Sequence, residues 1–403
     1  MGNRLIKTTL ILALLLFALT ARAQSTLHDV VMSADHAYGS NLSFTLSAQS
    51  DETIETAVLF AAAPGLDYTY TTQFPVRGRA IDLNYTLDLT SLPAKPYPFA
   101  TITYWWELIT AAGQTISLER QTFRYTDNRF DWQEQTRNNW VVYWPTTGET
   151  TIGDTALDIA EATFAAFNQI LPLTLAEPVS LYVYPSSSEL RSTLRLGGWD
   201  WRDGYTDPAL GVLLVVSVNP RTARDDLSQS IPQEMGRFFL YQATQEQFET
   251  IPRWLVEGLA GVVLDDVARQ RQVVAAASPL SLTDLCTTWP DDPQAAQLAT
   301  SQSQLLARWL HDEFGRLTLN RLVHAYRDGQ TCAEGLTTVT NLPLATLQQQ
   351  WLADLQGQST FITLIRQNGL WFLLLTAGFL LTALILLSYW PRKERGETER
   401  LRD

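Results

Sequence analysis

The chain is poor in the side chains that most often carry enzyme chemistry or grip polyanions. Of 403 residues only 2 are cysteine and 4 are histidine, and 29 Lys and Arg stand against 42 Asp and Glu, giving a net charge of -13. A field of that sign repels phosphates, and no Lys/Arg stripe with interleaved aromatics offsets it, which excludes nucleic acid as a partner. His28, His36, His311 and His324 never fall four residues apart, so no helix face offers two imidazoles to a metal. No Gly-x-Ser-x-Gly elbow occurs, and Ser186-Ser187-Ser188 and Ser228-Gln229-Ser230 read as turns, which excludes a serine hydrolase of that kind. Asp265-Asp266 and Asp291-Asp292 lack the spacing of a calcium loop. There is no internal repeat and no low-complexity segment.

What is present points to packed interiors. Hydrophobic residues make up 46% and charged residues 18%, with 13 Trp, a balance that excludes disorder. The length allows two folded units plus targeting segments.

Both ends carry targeting patterns. Arg4 and Lys7, the apolar run Leu10 to Leu19 and the small-residue site Ala21-Arg22-Ala23 predict a secretory signal removed near Gln24. GLWFLLLTAGFLLTALILLSYW, residues 369–390, has no charge, is flanked by Trp371, Tyr389 and Trp390, and is followed by Arg392, Lys393 and Arg395. This predicts one transmembrane helix with the basic tail in the cytosol, a type I topology at the cell membrane with the main domains on the extracytoplasmic side. The membrane is then a partner through that helix. In an oxidising compartment Cys286 and Cys332 either bridge or pack as free thiols. Asn41-Leu42-Ser43 and Asn84-Tyr85-Thr86 fit glycosylation acceptors where the host modifies them.

Between the ends, NLSFTLSA, TIETAVLFA, AIDLNYTLDL, FATITYWWELIT and QTISLERQTFRY alternate polar and apolar residues and are separated by turns, the pattern of an immunoglobulin-like antiparallel β-sandwich, although no Cys, Trp, Cys signature accompanies it. From about Trp132, strands alternate with helical stretches, and beyond Trp254 apolar residues recur at three- and four-residue steps, so helices dominate. Pro252 and Pro343 stand where helices would begin, Gly315 and Gly329 where they would stop.

IPQEMGRFFLY, at 231–241, precedes PRWLVEGLAGVVL. Over roughly 130–357, and most specifically in the W-L-x-E-G-L-A run from Trp254 to Ala260, the chain resembles the gluzincin peptidase MA-like family. The resemblance implies a thermolysin-like fold and zinc as the family's cofactor, held by two histidines four residues apart and a downstream glutamate, with a general base beside the first histidine. It places Glu234 at the base and Glu257 at the third ligand, but Gln233 and Arg237 where the histidines belong. An amide ligates zinc poorly and a guanidinium has no lone pair to give, so zinc is expected to be lost, no cofactor is expected, and Glu234 is vestigial. Arg237 is expected to pair with Glu257 in place of the metal, with Gln233 and Glu234 adding hydrogen bonds; the plainer alternative is a surface helix without special contacts. The loop GGWDWRDGYTDPALG and strand GVLLVVSV resemble the family's substrate side, where an edge strand can pair with an extended peptide. Trp199 and Trp201 in that loop either line a cleft or pack on their own domain.

Together these readings predict a multidomain α+β protein: signal peptide 1–23, Ig-like β-sandwich 24–127, thermolysin-like α/β plus helical metallopeptidase-type domain 128–357, juxtamembrane connector 358–368, transmembrane helix 369–390 and cytosolic tail 391–403. The expected role is a membrane-anchored, catalytically silent domain that binds a peptide or protein. The alternatives are an active membrane-bound metallopeptidase using a ligand set that includes Glu234 and Glu257, and an envelope spacer.

Overall fold

Alternating side chains over the first hundred residues can satisfy their backbone only by pairing strands that turn one face to a common core. The computed structural model describes residues 27–146, 151–196, 204–219, 221–265, 267–356 and 374–385. The predicted signal peptide, connector and cytosolic tail lie outside the described residues, as do Trp199 and Trp201. The chain divides into two compact units, Met1–Ala162 with Thr174–Glu234, and Thr163–Leu173 with Met235–Asp403.

In the first unit, β1 (Leu27–Ala37), β2 (Asn41–Ala62), β3 (Tyr70–Asp88), β4 (Thr101–Thr110), β5 (Thr115–Ser117) and β6 (Gln121–Arg124) form one antiparallel sheet. Its order is β1-β2-β4-β5, with β3 also on β2 and β6 on β4. This replaces the expected Ig-like sandwich of two facing sheets with a single curled one. The reason is β2, whose Asn41–Ser50 half pairs with β1 and whose Ile54–Ala62 half pairs with β4, while β3 pairs along both halves. Ser50-Asp51-Glu52-Thr53, polar enough to read as a turn, is instead an irregularity within the strand, where the register shifts between Gln49 and Ile54. Such a bulge bends a strand without ending it, and the sheet curls around Phe44, Leu46, Leu59 and Trp106.

The same unit holds a second sheet of β7 (Trp132–Arg137), β8 (Trp140–Pro145), β9 (Val179–Tyr184), β10 (Tyr205–Asp207) and β11 (Val212–Val216), in the order β10-β11-β9-β8-β7. β8, β9 and β11 run parallel, and β10 and β7 are the antiparallel ends. The crossovers contain α1 (Thr151–Asn168) and α2 (Ser187–Leu196). All six residues of β9 are buried, as a central strand covered on both faces requires.

Asp127, fully buried, accepts from Arg129 Nε at 2.8 Å and Nη2 at 2.7 Å, from Tyr184 Oη at 3.0 Å and from Thr193 Oγ1 at 2.7 Å. Tyr38 Oη donates to the Thr193 carbonyl at 3.3 Å. These bonds fasten the end of the first sheet to β9 and α2 and leave no charge unpaired.

The second unit is helical: the latter part of α3 (Ala223–Thr244), then α4 (Arg253–Gly258), α5 (Val267–Ala276), α6 (Leu282–Thr287), α7 (Pro293–Phe314), α8 (Thr318–Arg327), α9 (Cys332–Thr340) and α10 (Leu344–Leu355). A disulfide joins Cys286 of α6 to Cys332 of α9.

The predicted transmembrane helix is overturned: among the described residues, no helix is long and apolar enough to cross a membrane. Of the apolar stretch, residues 374–385 are described, as helix.

Candidate functional site

α3 carries the QEMGR segment and buries Ile231, Met235, Phe238 and Phe239. In the first unit, Glu234 is 3% exposed. Thr206 of β10 donates its hydroxyl to Glu234 Oε2 at 2.6 Å. Gly204, just before β10, lies so close that a Cβ there would be 2.5 Å from Glu234 Oε1. A side chain at this position would require the Glu234 carboxylate to shift. Gln233 is half-buried, and its side chain forms no hydrogen bond among the described residues.

In the second unit, Arg237 Nη2 donates to Glu257 Oε2 at 2.5 Å, with side-chain exposures of 15% and 5%. The other carboxylate oxygen, Oε1, accepts from Arg253 Nε at 3.1 Å. Arg253 sits one turn before Glu257 on α4 and its guanidinium lies 5.3 Å from the centroid of the Trp289 ring. One buried carboxylate therefore holds two guanidiniums, one on each oxygen, an arrangement that offsets the desolvation a lone carboxylate would suffer.

The W-L-V-E-G-L-A-G run places Glu257 through close helix contact. A Cβ on Gly258 would lie 2.5 Å from the Ser303 carbonyl oxygen, and one on Gly261 would collide with the Gln304 backbone, so α4 and the turn after it press directly on α7. Arg308 of α7 donates to the carbonyls of Gly261 at 2.7 Å and Leu264 at 2.6 Å, satisfying acceptors that the short helix leaves open. Trp254, fully buried, directs its indole N–H to Cys332 Sγ at 3.2 Å, which ties α4 to the disulfide.

Zinc chemistry can be tested against these groups. Arg237 presents N–H donors to Glu257, and a guanidinium supplies a positive charge and no lone pair where a metal would need a ligand. Both Glu257 oxygens already accept from cations. This donor set does not fit a zinc ion held in the family's manner. Among the described residues no three His, Cys, Asp or Glu side chains gather as metal ligands.

The sequence profile of the peptidase MA superfamily matches residues 160–357. This segment belongs to the peptidase MA superfamily. No curated protein matches the chain. Among solved structures, the chain is similar to OgpA from Akkermansia muciniphila at 13% identity, covering 26% of this protein and 30% of that one, with a TM-score of 0.21. It is also similar to a polysaccharide deacetylase from Bacillus cereus at 10% identity, covering 42% and 55%, with a TM-score of 0.20. The chain thus spans less than a third of the first and about half of the second, and likeness at this level establishes neither fold nor function.

Two residues of the peptidase MA segment are invisible to motif reading. Arg253 has one available signal, its four-residue spacing to Glu257, which puts both on one helix face. Thr206 has none, because its partner Glu234 lies 28 residues away across a loop.

Proposed function

We propose that the peptidase MA segment serves as a binding module without peptidase activity, on the extracytoplasmic side, and that its ligand is an extended peptide or protein segment. The observation that carries the proposal is the Glu257 carboxylate, occupied on both oxygens by Arg237 and Arg253. Hydrolysis in this superfamily rests on a Lewis acid that polarises water for the base. Without it, Glu234 has no acidified water to deprotonate, and general-base assistance of about 10²–10⁴-fold does not replace the metal. Support for binding comes from β10, the terminal strand of its sheet, since a strand in that position can accept an extended segment by backbone pairing. Support for the compartment comes from the Cys286–Cys332 bridge, a bond that persists outside the reducing cytosol.

The test is metal content and peptidase activity of the purified protein. The expected result is no stoichiometric zinc and no chelator-sensitive cleavage of a casein-derived peptide mixture. One tightly held zinc per molecule together with chelator-sensitive cleavage overturns the reading in favour of an enzyme with an altered ligand set. The pair Gln233→His and Arg237→His is expected to recover zinc binding, because Glu257 is positioned by glycine contacts that these substitutions leave untouched.

A further inference from the structure

Glu257 accepts from two guanidiniums, and Arg253 is the more exposed of them at 45% against 15%. Arg253 is also held still: its Nε edge is bonded to Glu257 and its face lies over Trp289. Those contacts use one edge and one face of a planar group. The remaining edge, formed by Nη1 and Nη2, has no partner among the described residues. An arginine oriented in this way has its conformational cost already met and presents two parallel N–H bonds, the geometry that a carboxylate matches with both oxygens. The nearby acidic residues do not fill it: Asp292 accepts from Ala295 N at the start of α7, and neither it nor Asp291 forms an ion pair with Arg253.

We infer that Arg253, braced by Glu257 and Trp289, is a receptor for a carboxylate of the bound peptide. This rests on the binding-module reading and adds the ligand's chemistry to it. Glu257 acts here as a positioning residue: its carboxylate orients the guanidinium that meets the ligand. Trp289 widens the platform, since an indole beneath a guanidinium leaves the cation's edges open while shielding it from water on one side. The carboxylate has two possible sources, the C-terminus of the ligand and an Asp or Glu side chain within it, and they present the same group to the fork.

The experiment selects dodecapeptides from a random display library against the full-length protein, then measures the affinity of synthetic copies by fluorescence anisotropy. Each copy is made with a free C-terminus, with a C-terminal amide, and with Asp and Glu replaced by Asn and Gln. Affinities are compared for the native protein, Arg253→Gln, Arg253→Lys and Arg79→Gln, the last a change of an exposed residue in the first unit that controls for net charge. The expected result is that one carboxylate matters: neutralising it, or making Arg253→Gln, each weakens binding about tenfold, the scale of a lost charge-assisted hydrogen bond. The two changes together should cost little more than either alone, which identifies them as partners. Arg253→Lys should fall between, and Arg79→Gln should leave affinity unchanged. Sensitivity to amidation assigns the C-terminus, and sensitivity to Asn or Gln replacement assigns a side chain. Peptides that bind with no carboxylate dependence and equally well to Arg253→Gln overturn the receptor while leaving the binding module standing. Failure to select any peptide removes both. Should Arg253→Gln not fold, Arg253→Lys and the peptide-side changes still decide the matter.

Discussion

Gly258 packs against Ser303 with no room for a side chain, a Cβ there lying 2.5 Å from the Ser303 carbonyl oxygen. Gly261→Ala meets the Gln304 backbone in the same way, and backbone cannot swing aside as the tip of a flexible residue does. Gly236, in the QEMGR segment, is different, because a Cβ would meet nothing nearer than Ala260 N at 3.5 Å. Urea unfolding should therefore show Gly258→Ala and Gly261→Ala destabilised by about 3 kcal/mol. Gly236→Ala should be neutral or stabilised by up to about 1 kcal/mol through helix propensity.

Arg237→Ala removes one of the two guanidiniums that Glu257 holds. The carboxylate is nearly buried and the remaining guanidinium is half in water, so the expected loss is about 2 kcal/mol, less than the removal of a sole buried partner. Adding Glu257→Gln should restore part of that loss, since it removes the under-compensated charge. Calorimetric melts of the two single variants and the double variant measure it. Equal melting of Arg237→Ala and the native protein would count against any energetic role for the pair.

The bridge between Cys286 and Cys332 closes a separation of 46 residues, for which chain entropy gives about 4 kcal/mol. Adding dithiothreitol should lower the melting temperature of the native protein. The double change Cys286→Ser with Cys332→Ser should melt lower from the outset and no longer respond to the reductant.

Burial holds the phenols of Tyr38 and Tyr184 well above the usual tyrosine range, and the negative charge of Asp127 adds to it. Because the folded values are raised, the folded state keeps protons that the unfolded state releases. The associated stability is complete below about pH 10, the unfolded tyrosine value, and is lost as pH climbs further. Urea midpoints taken from pH 8 upward should be flat and then decline. Tyr184→Phe should decline less steeply, after losing about 1 kcal/mol at neutral pH with its bond to Asp127.

Much of this architecture was open to reading in one dimension. Pro252 and Pro343 do precede helices, and Gly315 does end one with a positive φ of 92°, because these residues restrict or release the backbone locally. Glu257 was visible from a contiguous run whose glycines serve one helix contact. The curl of the first sheet was hidden because Ser50 to Thr53 has the composition of a turn, and only pairing with distant strands decides between a turn and a bulge. The partner of Glu234 was hidden for the same reason: Thr206 joins it through the tertiary path of β10. Cysteine spacing left the bridge undecided, since a sequence separation gives no distance in space.

The uninterrupted course of β2 has a consequence for how the protein is made. Emerging from the ribosome, Asn41 to Ala62 cannot complete its ladders until Thr110 has followed, since β4 pairs with its second half. At roughly 5–20 residues per second, the nascent polypeptide holds a half-matched strand for several seconds. Over that interval its open edge is a template for wrong partners, so a holding chaperone should bind most tightly to nascent polypeptides stalled between Asp88 and Thr110.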